Sequence, residues 1–330
     1  MLSICISTFN RAAFIAETLE CILSQSPDNV EILIVDGAST DNTESVIRPF
    51  LSRHPQIRYQ RQEKNQGIDR DFDAAVVLAR GKYCWLFSDD DLLKPGTVDL
   101  VLQKLSSGTD LLILNAEIRN ADLRETIRER SLRMTSDRFY SPEETDTLMA
   151  ETADYLSFIG CVIVRRSLWL ERERERYYGS FFIHVGVIFQ ERLANGALVI
   201  AAPMIIIRYG NATWTSRAFE ILHFKWPELI WSFSGISEQA KSAVCPKYPW
   251  RSVRRLMFDR AKGMYSIAEY RKLIASRCNS ISERLLFSVI SLLPGMLLNL
   301  VLFGYFRMRY TDPRFAVFEL KNSRFYFRKS

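Results

Sequence analysis

The stretch Tyr83-Cys84-Trp85-Leu86-Phe87-Ser88-Asp89-Asp90-Asp91 decides how this chain reads. Five apolar or aromatic residues make a short strand buried on both faces, and the chain then runs straight into three carboxylates. Adjacent carboxylates repel one another, so a buried strand leads into such a run where something cationic gathers them. A hard divalent cation does this, because Mg²⁺ or Mn²⁺ typically takes one or two carboxylates and completes its shell from substrate phosphates. Alternate residues of an extended chain share a side, so Asp89 and Asp91 point together while Asp90 turns away. The competing reading is a solvated acidic turn that caps the helix behind it.

Upstream of this stretch, strand and helix patterns alternate. Leu2–Thr8 is an apolar run, 12–25 is helical, and 31–35 is a buried-type strand ending at Asp36-Gly37. A helix over 41–52 follows, with Ser39 or Thr40 as its cap. Then come a short strand over 57–61 and a helix over 68–79. Repeated units of this size predict an α/β fold with a mainly parallel sheet, and in such sheets ligands bind at the carboxyl ends of the strands. Thr8-Phe9-Asn10-Arg11, Asp36 and Asp89–Asp91 all stand at those ends. Further strands are expected at 111–115 and 161–164, with a polar stretch of loops or helix over 119–144 between them.

The length of 330 residues, with 48% hydrophobic and 25% charged, fits a globular chain of one core domain plus an extension. It excludes a disordered chain, a collagen and a polytopic membrane protein. The net charge of +6 is unevenly spread: 251–330 holds 16 Lys/Arg and 5 Asp/Glu, against 28 and 33 in 1–250. A basic tail calls for an anionic partner, either nucleic acid or a membrane surface. Inside the tail, 285–306 carries no charge and is followed by Arg307 and Arg309; Pro294-Gly295 divides it. The favoured reading is two apolar helices in the membrane interface, flanked by arginines. A hairpin packed on the protein and a transmembrane span are the alternatives. Six cysteines without a Cys-x-x-Cys pair support neither a disulfide framework nor a zinc site. With no secretory signal at Met1, the expected location is the cytoplasmic side, and Asn211-Ala212-Thr213 is then an accidental glycosylation triplet.

Four motifs now stand in order: Ser3–Arg11; Asp36-Gly37-Ala38-Ser39-Thr40-Asp41-Asn42-Thr43; Asn65-Gln66-Gly67 with Ala79-Arg80-Gly81-Lys82-Tyr83; and the acidic triplet. In this the chain resembles glycosyltransferase family 2, the inverting enzymes of GT-A fold. Gly67-Ile68-Asp69-Arg70 and Tyr83–Asp91 resemble the abequosyltransferase-like branch, which builds bacterial O-antigen. The resemblance implies a Rossmann-like GT-A domain over 1–226, with a nucleotide-sugar half over 1–110 and an acceptor half over 111–226. The helical extension 227–330 would associate with a membrane.

It also implies roles. Asp36 would accept from a base N–H of the donor nucleotide, Phe9 would lie against the base, and Arg11 would reach phosphate or base edge, with Thr8 and Asn10 beside them. Asp89 would face ribose or metal, Asp90 would belong to the same donor site, and Asp91 would bind Mn²⁺ or Mg²⁺. Two departures stand out. The family often has Asp-Asp-Gly-Ser where this chain has Asp36-Gly37-Ala38-Ser39, and its Arg-Asn falls on Phe72-Asp73, so Asp69 or Arg70 is expected to take over part of the donor contact. The Glu-Asp pair that supplies the base in family members should fall near Val185-Gly186, counting back from Glu191-Arg192-Leu193-Ala194-Asn195-Gly196. No carboxylate is there, and His184 is the proposed base, its ordinary pKa being suited to the task. Glu117 and Asp154 are the fallback carboxylates.

The expected function is metal-dependent, inverting sugar transfer from a nucleotide sugar, such as CDP-abequose or a similar deoxyhexose donor, to an undecaprenyl-diphosphate-linked saccharide. The enzyme would work at the cytoplasmic face of the plasma membrane, held there by its C-terminal helices. The alternative is a GT-A-like module that has lost catalysis and serves in membrane-bound assembly. Nucleic acid is not an expected partner, because 251–284 has no recognition motif and the apolar run would have no role. A dinucleotide dehydrogenase is disfavoured, since no Gly-x-Gly-x-x-Gly follows the first strand. Oligomeric state is not legible.

Overall fold

Seven consecutive buried residues, Leu2–Thr8, form β1, and the sheet grows outward from it. The structure, a computed structural model, describes residues 1–25, 29–211 and 216–327, so Ala212 and Thr213 of the glycosylation triplet lie outside it. After β1 come α1 (Ile15–Leu23), β2 (Glu31–Asp36), α2 (Thr43–Arg53), β3 (Ile57–Arg61), α3 (Ile68–Leu78) and β4 (Tyr83–Phe87). β3, β2, β1 and β4 are parallel neighbours in that order, so the carboxyl ends of β2, β1 and β4 open on one edge. Each helix buries one apolar stripe against the sheet, as Ile15, Leu19 and Ile22 do in α1. Entry to α3 depends on Gly67, which stands at φ +92° and donates its N–H to Asn65 Oδ1 at 2.8 Å.

The second half comprises β5 (Leu92–Leu93), α4 (Thr97–Leu105), β6 (Leu111–Asn120), β7 (Thr126–Arg128), β8 (Arg138–Tyr140), α5 (Thr145–Thr152), β9 (Val162–Arg165), α6 (Arg166–Glu171), α7 (Ile183–Phe189) and β10 (Ala197–Tyr209). The complete order is β3-β2-β1-β4-β9-β6-β10-β5, with β7 on β6 and β8 on β10. β9 runs antiparallel to both β4 and β6, and β6 is parallel to β10. The strand expected over 111–115 thus continues to Asn120, and the polar stretch after it contains two short strands rather than loops or helix alone. Neither Ser39 nor Thr40 caps α2. Asn10 Oδ1 captures the Thr40 and Asp41 amides at 2.7 and 3.3 Å, and Asp41 Oδ1 then accepts the Thr43 N–H at 3.0 Å.

The chain forms two compact units, Met1–Tyr209 with Phe233–Val244, and Gly210–Ser232 with Cys245–Ser330. The first unit's strands therefore end before residue 226, and 233–244 returns to it. Phe233 lies 6.2 Å from Phe189, and the Ser237 N–H reaches Asp146. In the second unit, Trp250, Leu256, Tyr265, Phe287 and Ile290 share one apolar cluster, and Ala261, Leu298 and Leu320 form another. The uncharged run belongs to helices Ile281–Leu292 and Gly295–Arg309, which meet at 90° across Leu293-Pro294. Among the described residues no single helix is long and apolar enough to cross a membrane. Asn299 does not face outward but is buried, donating to the Ala261 and Leu320 carbonyls and the Ser323 hydroxyl.

Candidate functional site

Parallel pairing sets Thr8 beside Asp36 and Ile6 beside Phe87, so the strand ends bring the predicted donor residues to one edge. The acidic triplet is buried there. Arg11 enters it: Nε donates to Asp89 Oδ1 at 3.1 Å and Nη2 to Asp90 Oδ2 at 2.5 Å. Ser88 Oγ lies within hydrogen-bond reach of both the Asp90 and Asp91 carboxyls, and the Arg208 N–H donates to Asp91 Oδ1 at 2.7 Å. Burial, then the Asp90 charge, raises Asp89 to about 6 against the pull of Arg11, and the same two causes raise Asp91 well above the carboxylate range. Arg11 thus balances part of the triplet's charge by bridging Asp89 and Asp90.

That charge balance fits a hard cation. Asp89 and Asp91 would hold it, and the Thr8 hydroxyl, which faces Asp89, has no other partner. Among the described residues no three Asp, Glu, His or Cys side chains converge as a ready cage. The remaining ligands would then be diphosphate oxygens and water, the usual habit of Mg²⁺ and Mn²⁺.

The other predicted residues divide. Asp36 is fully buried: Oδ1 accepts the Ser39 N–H and Oδ2 the Tyr59 hydroxyl, each at 2.7 Å. Asn10 (φ +57°) holds the 39–41 loop, and Phe9 is half-buried at the mouth. Asp69 does not reach out to a donor; its carboxylate accepts the N–H groups of Gly179, Phe181 and Ile183 at 2.8–3.0 Å. Arg70 is exposed, its guanidinium 4.2 Å from the centre of the Tyr178 ring.

Residues 3–169 match the model of the glycosyl transferase family 2. The chain belongs to this family. It is 31% identical over 231 residues to abequosyltransferase RfbV of Salmonella typhimurium, covering 66% of this chain and 69% of that protein. It is 27% identical over 184 residues to the GalNAc(5)-diNAcBac-PP-undecaprenol beta-1,3-glucosyltransferase of Campylobacter jejuni, covering 54% and 56%. The fold matches the mannosyltransferase PcManGT of Pyrobaculum calidifontis, solved with GDP-Man and Mn²⁺, at TM-score 0.55 and 16% identity over 97% of this chain and 86% of that one. The chain is therefore a glycosyltransferase of GT-A fold, abequosyltransferase-like within family 2.

For a family 2 enzyme, the placement of His184 corrects the sequence reading. His184 lies in α7 with every neighbour in the helix buried, and its Nε2 donates to the Leu156 carbonyl at 2.6 Å. Burial lowers its pKa to about 4, so it is neutral, and its Nδ1 is buried without a partner. An acceptor hydroxyl has no access to it. Burial also opposes the Glu117 charge, but hydrogen bonds from Lys94 and Arg119 outweigh this and hold its carboxyl low. Asp154 is exposed, one residue before the half-buried Tyr155, whose hydroxyl feels the Asp91 charge.

Two charged residues at these strand ends escaped the sequence reading. Arg208 braces the triplet from β10: besides its N–H bond to Asp91, Nε donates to the Asp90 carbonyl at 2.9 Å and Nη2 pairs with Glu17. The signal was a lone cation after Ile205-Ile206-Ile207. Asp71 is the other, buried in α3 between Asp69 and Asp73. Burial, followed by the charges of Asp36 and Asp69, raises it to about 7.

A pH dependence follows for the metal-free enzyme. The unfolded chain releases the Asp71 proton near pH 4, whereas the folded chain keeps it to about 7. Between these values the folded state binds more protons, so stability falls as pH rises from 4 to 7 and levels off above. Asp71→Asn removes that share of the slope, roughly 2–4 kcal/mol across the window. Thermal unfolding of both proteins across this range checks it; parallel curves would contradict the assignment.

Proposed function

We propose that this glycosyltransferase moves a sugar from a nucleotide sugar, bound with Mn²⁺ or Mg²⁺ at the strand ends, to a lipid-linked saccharide at a membrane surface. The buried triplet carries the reading, since Arg11 engages only Asp89 and Asp90 with its guanidinium, Asp91 is held by Ser88 and an amide, and Asp89 and Asp91 have raised pKa values. When bound, the metal would supply positive charge to the diphosphate as the sugar–phosphate bond breaks. The chain's own part is to hold the triplet rigid: Arg11 fixes Asp89 and Asp90, and Ser88 and the Arg208 amide orient Asp91. Phe9 would border the base. The activities named for the Salmonella and Campylobacter relatives support a deoxyhexose donor and an undecaprenol-linked acceptor.

The attacking hydroxyl needs a proton acceptor, and we assign this to Asp154, the exposed carboxylate on the turn at Tyr155. Asp154→Asn is expected to lower kcat by about 10²–10⁴ with nucleotide affinity unchanged, the usual range for a positioned base. If kcat stays within a few-fold of wild type in steady-state assays, the assignment fails.

The outward faces of helices Ile281–Leu292 and Gly295–Arg309 support docking on a membrane surface. Leu285, Val289, Leu292, Leu297 and Val301 are exposed, while Phe287, Ile290 and Leu298 pack inward. Calorimetric titration of UDP, GDP, CDP and dTDP with Mn²⁺ tests the donor site. One nucleotide should bind only with metal. Silence from all four would remove the reading and favour the assembly-module alternative.

A further inference from the structure

Three aspartates on α3 are buried, and they differ in what surrounds them. Asp69 accepts three backbone N–H groups. Asp73 accepts the Trp169 indole N–H at 2.9 Å and the Tyr178 hydroxyl, and pairs with Arg174 at 2.9 Å. Asp71 is 3% exposed, its Oδ1 has no hydrogen-bond partner, and the charges nearest to it are those of Asp36 and Asp69. A buried carboxyl without a donor costs stability, and nothing within the protein offsets it.

Its position suggests what does. Asp69 and Asp73 are one helical turn apart on a face that holds segment 169–183; Asp71, between them, points the other way, to the end of β2. Its Oδ2 lies only 2.6 Å from where a Cβ at Gly37 would stand. Gly37 is the position at which the family pattern often has its second Asp, so the helix puts a carboxyl into the space that the missing side chain leaves. Both oxygens of Asp36, meanwhile, already accept from Ser39 and Tyr59. The carboxyl at this strand end with an unclaimed oxygen is that of Asp71.

We propose that Asp71 reads the nucleobase of the donor, pairing with a pyrimidine edge that sets an N–H beside an acceptor. Cytosine (N4–H₂ and N3) and uracil (N3–H and O4) both present such an edge. The pKa near 7 suits this, because a carboxyl that keeps its proton donates through one oxygen and accepts through the other. Gly37 then serves as the gap that admits the Asp71 carboxyl. This inference rests on the donor-site reading above.

Calorimetry with Mn²⁺ separates the two. Wild type, Asp71→Ala, Asp71→Asn and the double variant Gly37→Asp/Asp71→Ala are titrated with CDP, UDP and inorganic pyrophosphate. Whichever nucleotide wild type binds is expected to weaken about 10- to 100-fold in Asp71→Ala, the loss of a pair of hydrogen bonds. Pyrophosphate affinity should not change, and the melting temperature should not fall, because a partnerless buried carboxyl has been removed. The double variant returns a carboxyl to the same end of β2 and is expected to recover part of the loss. Nucleotide affinity kept in both single variants overturns the role of Asp71 and leaves the donor site standing. Equal losses for nucleotide and pyrophosphate would also overturn it, by showing a structural role. If wild type binds neither ligand, the donor-site reading and this inference fall together.

Discussion

Asp91→Asn is expected to lower sugar transfer by at least about 10³-fold and to abolish metal-dependent nucleotide binding, with the fold intact. Removing one preorganised electrostatic contact typically costs about 10²–10³ in rate, and a metal supplies several kcal/mol of charge stabilisation. The substitution is nearly isosteric. The Asn oxygen can still accept the Arg208 N–H, so β10 stays docked on the triplet. What disappears is a negative charge held against its solvation: burial and Asp90 both disfavour ionised Asp91. The metal-free variant should therefore melt no lower than wild type. Chelation of wild type with EDTA should reproduce the loss, and added Mn²⁺ should restore wild type but not the variant. Turnover within ten-fold of wild type would reduce Ser88–Asp91 to an acidic turn and remove the metal from the proposal.

The fold was legible because β1, β2 and β4 are short, fully buried and closed by polar residues at the same end. Tyr83–Phe87 matches its expected bounds, and β2 exceeds its expectation only by Asp36. Periodicity sees such elements because the physics is local. The antiparallel insertion of β9 between β4 and β6 is not local, and four residues cannot announce it. At the site, motif spacing located the carboxylates but not their partners. Asp69 and Asp71 differ by two residues in sequence, yet one is saturated by amides from 179–183 and the other has nothing. That difference depends on a loop more than a hundred positions away. His184 misled for a related reason. Its unperturbed pKa suits base chemistry, but a residue inside a fully buried helix loses that pKa to desolvation. Arg208, 117 residues from Asp91, could be noticed as a charge in an apolar strand but not paired from sequence.

The tail offered three readings of one uncharged run, and the geometry shows why one face alone could not choose among them. Helices Ile281–Leu292 and Gly295–Arg309 each pack one side onto their own unit, as the hairpin reading required, and leave the other apolar side exposed, as the interfacial reading required. The right-angled break at Pro294 keeps them from forming one continuous rod. Arg284, Arg307 and Arg309 are exposed along the same helices, where phospholipid headgroups would meet them.

Replacing Leu285, Val289, Leu297 and Val301 together with Ser is accordingly expected to weaken partition into anionic liposomes by about 10³-fold. Each of these side chains, half immersed at an interface, contributes about 1 kcal/mol, below the 1.5–3 kcal/mol of full burial, and four of them give roughly three decades. All four are exposed, whereas Phe287, Ile290 and Leu298 keep the inward packing, so the melting temperature should hold. Arg284→Gln with Arg307→Gln and Arg309→Gln should weaken binding by a further factor that shrinks as salt is added, since each basic group near the surface is worth about 1 kcal/mol. The two sets separate the mechanisms: loss with serine persists at high salt, and loss with glutamine does not. Transfer to a soluble acceptor analogue should survive both, while transfer to a membrane-embedded acceptor should fall with partition. Liposome sedimentation that is unchanged by the serine set would assign this apolar face to a protein partner, and the basic tail would then need a different anion.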